Sequence, residues 1–300
     1  MKILITGGSG MLGQALINDP LFQNDEFIIL TRKPSRSLRN QHVMYQYWNP
    51  DALDGWQEIL ENQDVIIHLA GHNIGEGYWS ARKKQLILNS RVNSGKILAE
   101  AIMNLSAPPS IFIQASAVGY YGSRANEVLT EDSEKGDGFL SDVCEAWETS
   151  TAVLESAGIR RLILRTGVIL SSTAGMLPKL NLPIKAFIGG NLGNGKQYIP
   201  WLHMDDFSAI VNALIQKKET RGIYNLCAPK AATFSEMGKS IAKNLNRPYW
   251  LPVPGFALRL LLGEMSTLLL ASQRVKPERL LEINYEYRYR ELRDALKSFV

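Results

Sequence analysis

The sequence predicts an α/β fold: a doubly wound parallel sheet with helices on both faces, joined to a small C-terminal cap domain. Three observations predict it. Short apolar runs alternate with segments of helical spacing as far as residue 170. A glycine ladder, Gly7, Gly10 and Gly13, follows the first of those runs at once. Beyond residue 170 the alternation gives way to a stretch rich in Gly, Pro and Asn. Strands alternating with helices form parallel βαβ units, whose ligands sit at the carboxyl ends of the strands.

The first strand is the run Ile3 to Ile5, ending at Thr6. Gly7, Ser9, Gly10, Met11, Leu12 and Gly13 then make a tight turn that opens a helix continuing through Ala15 and Leu16. Such a turn presents backbone N–H groups at the positive end of the helix dipole, where a pyrophosphate can sit. Gly7 permits the turn, Gly10 lets a phosphate approach and Gly13 lets the helix pack close to the sheet. The spacing is GxxGxxG, following a strand and opening a helix, which is the context a Rossmann-type dinucleotide site requires.

The second strand, Phe27 to Leu30, ends in Thr31, Arg32 and Lys33. An NAD site places a carboxylate there for the ribose 2′-hydroxyl, whereas a cation accommodates a 2′-phosphate. Asp25 and Glu26 lie at the wrong end of the strand, so NADP(H) is favoured over NAD(H). A third strand, Val65 to His68, runs into Leu69, Ala70 and Gly71, and residues 90–104 have helical spacing. Ile111 to Ser116 is a strand, 140–157 a helix and Arg161 to Arg165 a further strand. Ser116, Arg165 and Leu69 to Gly71 therefore join the strand-end positions expected to contact cofactor.

Residues 171–201 read as an excursion over the site. The chain turns helical from 201 to 215 and Gly222 to Leu226 is a short strand. The expected division is a Rossmann domain of residues 1–170 and 202–228, with a substrate-binding cap of residues 171–201 and 229–300. The run Phe256 to Leu270 is interrupted by Arg259, Gly263 and Glu264 and is too short to span a bilayer. It reads as a packed cap helix or as a homodimer or partner surface.

Composition excludes several classes. The 300 residues are 45% hydrophobic and 21% charged, as in a globular protein. The net charge of +4 is spread without a Lys/Arg block, which argues against nucleic acid. Cys144 and Cys227 make neither a disulfide framework nor a metal cluster, and no ligand spacing suggests a metal. With the first strand at residue 2 and no leader pattern, a cytoplasmic protein is expected.

A resemblance runs through nearly the whole chain in order. It is carried by ITGGSGMLG (5–13), HLAG (68–71), WSARKKQLILNSR (79–91), QASAVGYYG (114–122), FLSDVCEAWE (139–148), RTGVIL (165–170), WLHMDD (201–206), YNLCAP (224–229) and PVPGFALRLLLGEM (252–265). On these segments the chain resembles the extended, atypical short-chain dehydrogenase/reductases. More narrowly it is similar to the nucleoside-diphosphate-sugar epimerase-like family 39U, whose bacterial members often carry a cell-division-inhibitor label. The resemblance implies an NADP(H)-binding epimerase or oxidoreductase acting on a small substrate, with nucleotide-linked ones among the candidates. It also implies a Ser with a Tyr-x-x-x-Lys dyad, yet no lysine here has a tyrosine four residues before it. By alignment on Glu148, Leu140 stands at the Tyr position and Cys144 at the Lys position.

Ser116 remains, either to orient a substrate oxygen or to bond local backbone. Tyr121, or its neighbour Tyr120, is the candidate replacement acid/base, with pocket-wall packing as the alternative. A phenol needs a nearby cation for that work, and Arg124, Lys83, Lys84 and Arg91 are candidates. Lys84 and Arg91 share a helix face and either hold an anionic substrate or face solvent. His68 is expected to pack rather than transfer protons, and Asp205 and Asp206 after His203 to cap a helix. A catalytically weak sensor or partner-binding protein is the alternative to an enzyme.

Overall fold

The computed structural model describes residues 1–34 and 42–299. Its centre is a seven-stranded, wholly parallel sheet. The strands lie side by side in the order Gly222–Leu226, Arg160–Thr166, Ile111–Ala117, Val65–His68, Lys2–Thr6, Glu26–Thr31 and Val43–Tyr47. The chain winds outward in one direction from the first strand, then reverses, so a crevice opens at the carboxyl ends where the order turns. The inner strands are apolar on both faces, and Ile3, Leu4, Ile5, Val65, Ile66 and Phe112 are fully buried. A parallel sheet covered by helices on both sides demands such runs.

The two faces close against different helices. Leu16 of Met11–Asn18 and Phe207, Ile210 and Leu214 of Met204–Gln216 fill one side. Leu98, Ala101 and Ile102 of Ala81–Met103 fill the other. That last helix begins nine residues before the expected start, because Ser80 caps it by accepting from the Lys83 N–H. The expected 140–157 helix is two pieces, Phe139–Thr149 and Val153–Ser156. The strand Val43–Tyr47, unforeseen from sequence, alternates buried Val43 and Tyr45 with exposed Met44 on the sheet edge.

A second core lies beyond the sheet. Leu170, Leu177, Trp201, Ala228, Phe234, Met237, Ile241 and Leu296 pack together there, drawing on segments expected in both the Rossmann domain and the cap. The C-terminal chain does not stay in that unit, since Leu280 and Tyr287 return to the main core. Phe256–Leu270 is not one packed helix. It breaks at Gly263 (φ +57) into Gly255–Leu262, a 3-10 turn and Thr267–Leu270, and Phe256 and Leu260 face solvent. Among the described residues no helix is long and apolar enough to cross a membrane.

The glycine ladder is enforced by packing. A Cβ on Gly13 would lie 2.7 Å from the Gly8 carbonyl oxygen, so the first helix can sit against its turn only without a side chain. Gly13→Ala is expected to cost roughly 1–3 kcal/mol as backbone is displaced. A urea melt should show a lower midpoint at unchanged slope, and an unmoved midpoint would refute this packing account.

Candidate functional site

The glycine turn sits at the carboxyl end of the first strand. Gly7 has φ +72, and a Cβ there would lie 2.8 Å from the Ala70 nitrogen and from the Leu69 carbonyl carbon. The loop after Val65–His68 thus abuts the turn at closest approach, with the Ala70 N–H on Thr6 Oγ1 (3.4 Å). The Gly10 N–H donates to the Gly7 carbonyl (2.9 Å), closing the turn. The helix that follows has Gly10 at its N-cap, with no capping side chain and no acid in its first turn. Its first N–H groups therefore have no intrahelical acceptor and no carboxylate before them, which fits a bound diphosphate.

Cations gather beside this turn. Arg32 and Lys33 are exposed at the end of the second strand. Lys83 Nζ donates to His72 Nε2 (2.8 Å), and Arg91 donates to the carbonyls of His72 (3.1 Å) and Ile87 (3.0 Å). Burial and then the charges of Lys83, Arg91 and Arg32 lower the His72 pKa, so this ring stays neutral near its cationic neighbours. Neither Lys84 nor Arg91 is a merely solvated charge. Lys84 pairs with Glu264 (2.8 Å), and Arg91 lies over the Trp147 ring, its pKa lowered by burial to about 10. A Cβ on Gly71 would meet the Arg91 guanidinium at 3.0 Å.

A different group occupies the sheet just beneath. Arg165 binds Glu148 in a two-pronged pair, Nε to Oε1 (2.9 Å) and an Nη to Oε2 (2.8 Å). Ser116 Oγ donates to the same Oε1 (2.6 Å). The other Arg165 Nη donates to the Tyr121 hydroxyl (3.1 Å), which donates to Asn225 Oδ1 (2.7 Å). The guanidinium stacks on Tyr120 at 3.4 Å. Arg165 and Glu148 are 2% and 9% exposed at their side chains, so the pair is dry. Burial alone would lower the Arg165 pKa, but hydrogen bonds and charge from Glu148 hold it raised.

This network bears on three expectations. Tyr121 does not stand ready as acid/base: it is fully buried, its hydroxyl is engaged on both sides, and burial pushes its pKa up to about 12 despite Arg165. Ser116 donates to the Glu148 carboxylate rather than to local backbone. Arg165, expected at the cofactor, is paired with Glu148. Glu148 and Asn225, which complete the network, were missed. A carboxylate on the buried stripe of 139–149 and an arginine ending a buried strand were the signal that two charges had to meet.

A cavity of about 540 Å³ opens above the network. Its floor is formed by Ala117 to Gly119 and Thr166 to Val168, and its roof by Leu268 to Ala271. Leu140 and Cys144, at the family's dyad positions, are in its wall; a Cβ on Gly119 would touch them at 3.4 and 3.7 Å. Burial pushes the Cys144 thiol up to about 11. At the roof's edge Glu264 is tied to Lys84, linking the cap to the long Ala81–Met103 helix.

The glycine cradle, the strand order and the crevice together match known proteins. Residues 3–227 match the NAD dependent epimerase/dehydratase family. The chain belongs to that family. Residues 253–299 match a domain of unknown function, DUF1731. Epimerase family protein YfhF of Bacillus subtilis is 36% identical over 301 residues, covering 100% of this chain and 98% of that protein. Human epimerase family protein SDR39U1, solved with NADPH, superposes with a TM-score of 0.88 at 29% identity, covering 100% of this chain and 99% of that one. A nucleoside-diphosphate sugar epimerase from Corynebacterium glutamicum gives a TM-score of 0.79 at 33% identity, covering 99% of this chain and 57% of that chain. This epimerase-family chain is an NAD(P)-binding, epimerase-like protein with a Rossmann-like fold.

Two of the histidines, His68 and His203, are held in hydrogen bonds that brace the fold. His68 is fully buried between Thr6 Oγ1 (2.7 Å) and Ser94 Oγ (3.2 Å). His203 Nδ1 itself caps Met204–Gln216 by accepting from the Asp205 N–H, while Asp206 receives the N–H groups of Arg288 and Tyr289. Among the described residues no group of three His, Cys, Asp or Glu side chains could hold a metal.

Burial, and secondarily the charge of Arg91, lowers the His68 pKa from 6.5 to about 3. The unfolded chain then binds a proton that the folded chain rejects, so stability falls as pH drops below 6.5 and the loss ends near 3. Between pH 7 and 5 the His68 share is about 2 kcal/mol. Urea melts at the two pH values should show His68→Asn losing that much less than the parent. Equal losses would place the protonation elsewhere.

Proposed function

We propose that this protein binds NADP(H) in preference to NAD(H) and works as an oxidoreductase or epimerase-like enzyme on a small substrate held in the cavity. One observation carries the cofactor preference: Arg32 is an exposed cation at the end of the second strand, where an NAD site would carry a carboxylate. The NADPH in the SDR39U1 structure supports the same choice. When bound, NADP(H) supplies or accepts a hydride. Gly7 to Gly13 hold its diphosphate, Arg32 and Lys33 its 2′-phosphate, and Leu69 to Gly71 line the path between.

Ser116, Tyr121 and Arg165 serve as positioning residues in this reading. They fix the ends of Ile111–Ala117 and Arg160–Thr166, and so fix the cavity floor, without touching the reacting atoms. Two buried free thiols fit a reducing cytoplasm. A second reading, an NADP(H) sensor with little or no turnover, is favoured by the wall itself. Leu140 cannot move a proton, and a thiol at about 11 is a poor acid at neutral pH.

Arg32→Ala should weaken NADPH binding roughly tenfold to a hundredfold, the worth of a charged hydrogen bond. NADH binding should be unchanged. Calorimetric titration of both nucleotides checks it. Equal losses for the two, or equal affinities in the parent, would contradict the assignment of Arg32.

A further inference from the structure

Two adjacent lysines have opposite surroundings. Lys84 is neutralised by the Glu264 carboxylate (2.8 Å). Lys83 Nζ instead meets the His72 imidazole, with Nε2 at 2.8 Å. A neutral ring accepts from the ammonium and fixes its position without cancelling its charge. Arg91 is held the same way, by the carbonyls of His72 (3.1 Å) and Ile87 (3.0 Å). Among the described residues Lys83, Arg91 and Arg32 have no carboxylate at ion-pair distance. The charges of all three reach His72, against that of Glu76 from its own loop, and Glu76 already accepts from Asn73 Nδ2 (2.7 Å). Lys83 also stands in the first turn of Ala81–Met103 beside Arg82 and Lys84, with no acid there. Like charges at the positive end of a helix dipole repel one another and the dipole. An anion among them would relieve both.

The group stands across the crevice from the glycine turn. The first strand pairs with Val65–His68, Thr6 beside His68, and the strand order reverses between them. The glycine turn leaves one strand there and Leu69 to His72 leave the other. The two exits are close, since a Cβ on Gly7 would lie 2.8 Å from the Ala70 nitrogen and one on Gly71 3.0 Å from the Arg91 guanidinium. One side of the crevice thus offers the uncapped start of Met11–Asn18, and the other offers cations with uncancelled charge.

We propose that Lys83, set in place by His72, grips the diphosphate of the bound nucleotide from the side opposite the glycine turn. This rests on the reading of that turn as the cofactor site. After His72 takes one of the three ammonium donors, two remain for phosphate oxygens, and such charge-assisted bonds are the stronger kind. His72 is a positioning residue that sets the ammonium without touching the nucleotide. NADPH and NADH share the diphosphate, so this contact serves both, whereas Arg32 tells them apart.

The test is calorimetric titration of the full-length chain with NADPH, NADH and ADP-ribose, and a thermal melt of each variant without nucleotide. Lys83→Ala should weaken all three by a similar factor, about tenfold or more. Its Tm should be no lower than the parent's, because a repelled charge has been removed. His72→Gln still offers an acceptor and should keep each affinity within about threefold of the parent. His72→Glu would pair with Lys83 as Glu264 does with Lys84, and should weaken all three about tenfold or more while raising the Tm. Unchanged affinities in Lys83→Ala, or a loss confined to NADPH, overturn the proposal and leave the cofactor reading standing. Weaker binding accompanied by a lower Tm makes Lys83 a structural residue and overturns it too. A parent chain that binds none of the three overturns the cofactor reading and this proposal with it.

Discussion

The Glu148–Arg165 ion pair organises the carboxyl end of the sheet. Two opposite charges are desolvated there at a cost of several kcal/mol each, which only close pairing and further hydrogen bonds can offset. Each is supplied. Glu148 takes two bonds from Arg165 and one from Ser116, and Arg165 adds Tyr121 and the face of Tyr120. The chain of contacts then passes outward. Tyr121 bonds Asn225 on the edge strand, whose Nδ2 donates to the Lys276 carbonyl (3.1 Å) and whose N–H donates to Glu131 (2.9 Å). Glu131 in turn accepts from the Glu278 N–H (3.1 Å). One buried pair thus joins a helix, three strands and the DUF1731 segment.

That arrangement constrains chemistry. Side chains that could have served as catalytic hydroxyls or cations are consumed in holding the floor of the cavity. The cavity beside them is lined by apolar side chains such as Val118, Leu140 and Leu268 together with polar ones such as Ser141, Tyr198, Arg259 and Gln273. The proposed cofactor cradle is built the other way. It relies on backbone N–H groups and on cations at strand ends, and it needs no side chain from the buried network.

Much of the fold was legible because it depends on local pattern. The first strand, the glycine ladder and the cations after Leu30 are contiguous in sequence, and each carries its own physical signal. The Val43–Tyr47 strand was not legible, since an edge strand with one exposed face has too few apolar residues to stand out from loop. The break in Phe256–Leu270 was hidden because a single glycine inside an apolar run also fits a continuous helix. At the candidate site the glycine turn was legible as a strand-to-helix turn, and the buried network was not. Ser116, Tyr121 and Arg165 were singled out, but their roles depend on Glu148 and Asn225. Those partners are 32 and 104 residues away from Ser116 and Tyr121, and no spacing rule connects them.

The central claim is that the Glu148 network is a fixed support, separate from the ligand-binding surfaces. A crystal structure of the chain with NADPH bound tests it most directly. The account predicts that Arg165 keeps both bonds to Glu148, that Ser116 stays on the same carboxylate, and that the nicotinamide enters the cavity over Ala117 to Gly119 and Thr166 to Val168. An Arg165 turned onto the cofactor, or a Tyr121 hydroxyl freed from Asn225 and directed at the nicotinamide, would contradict it.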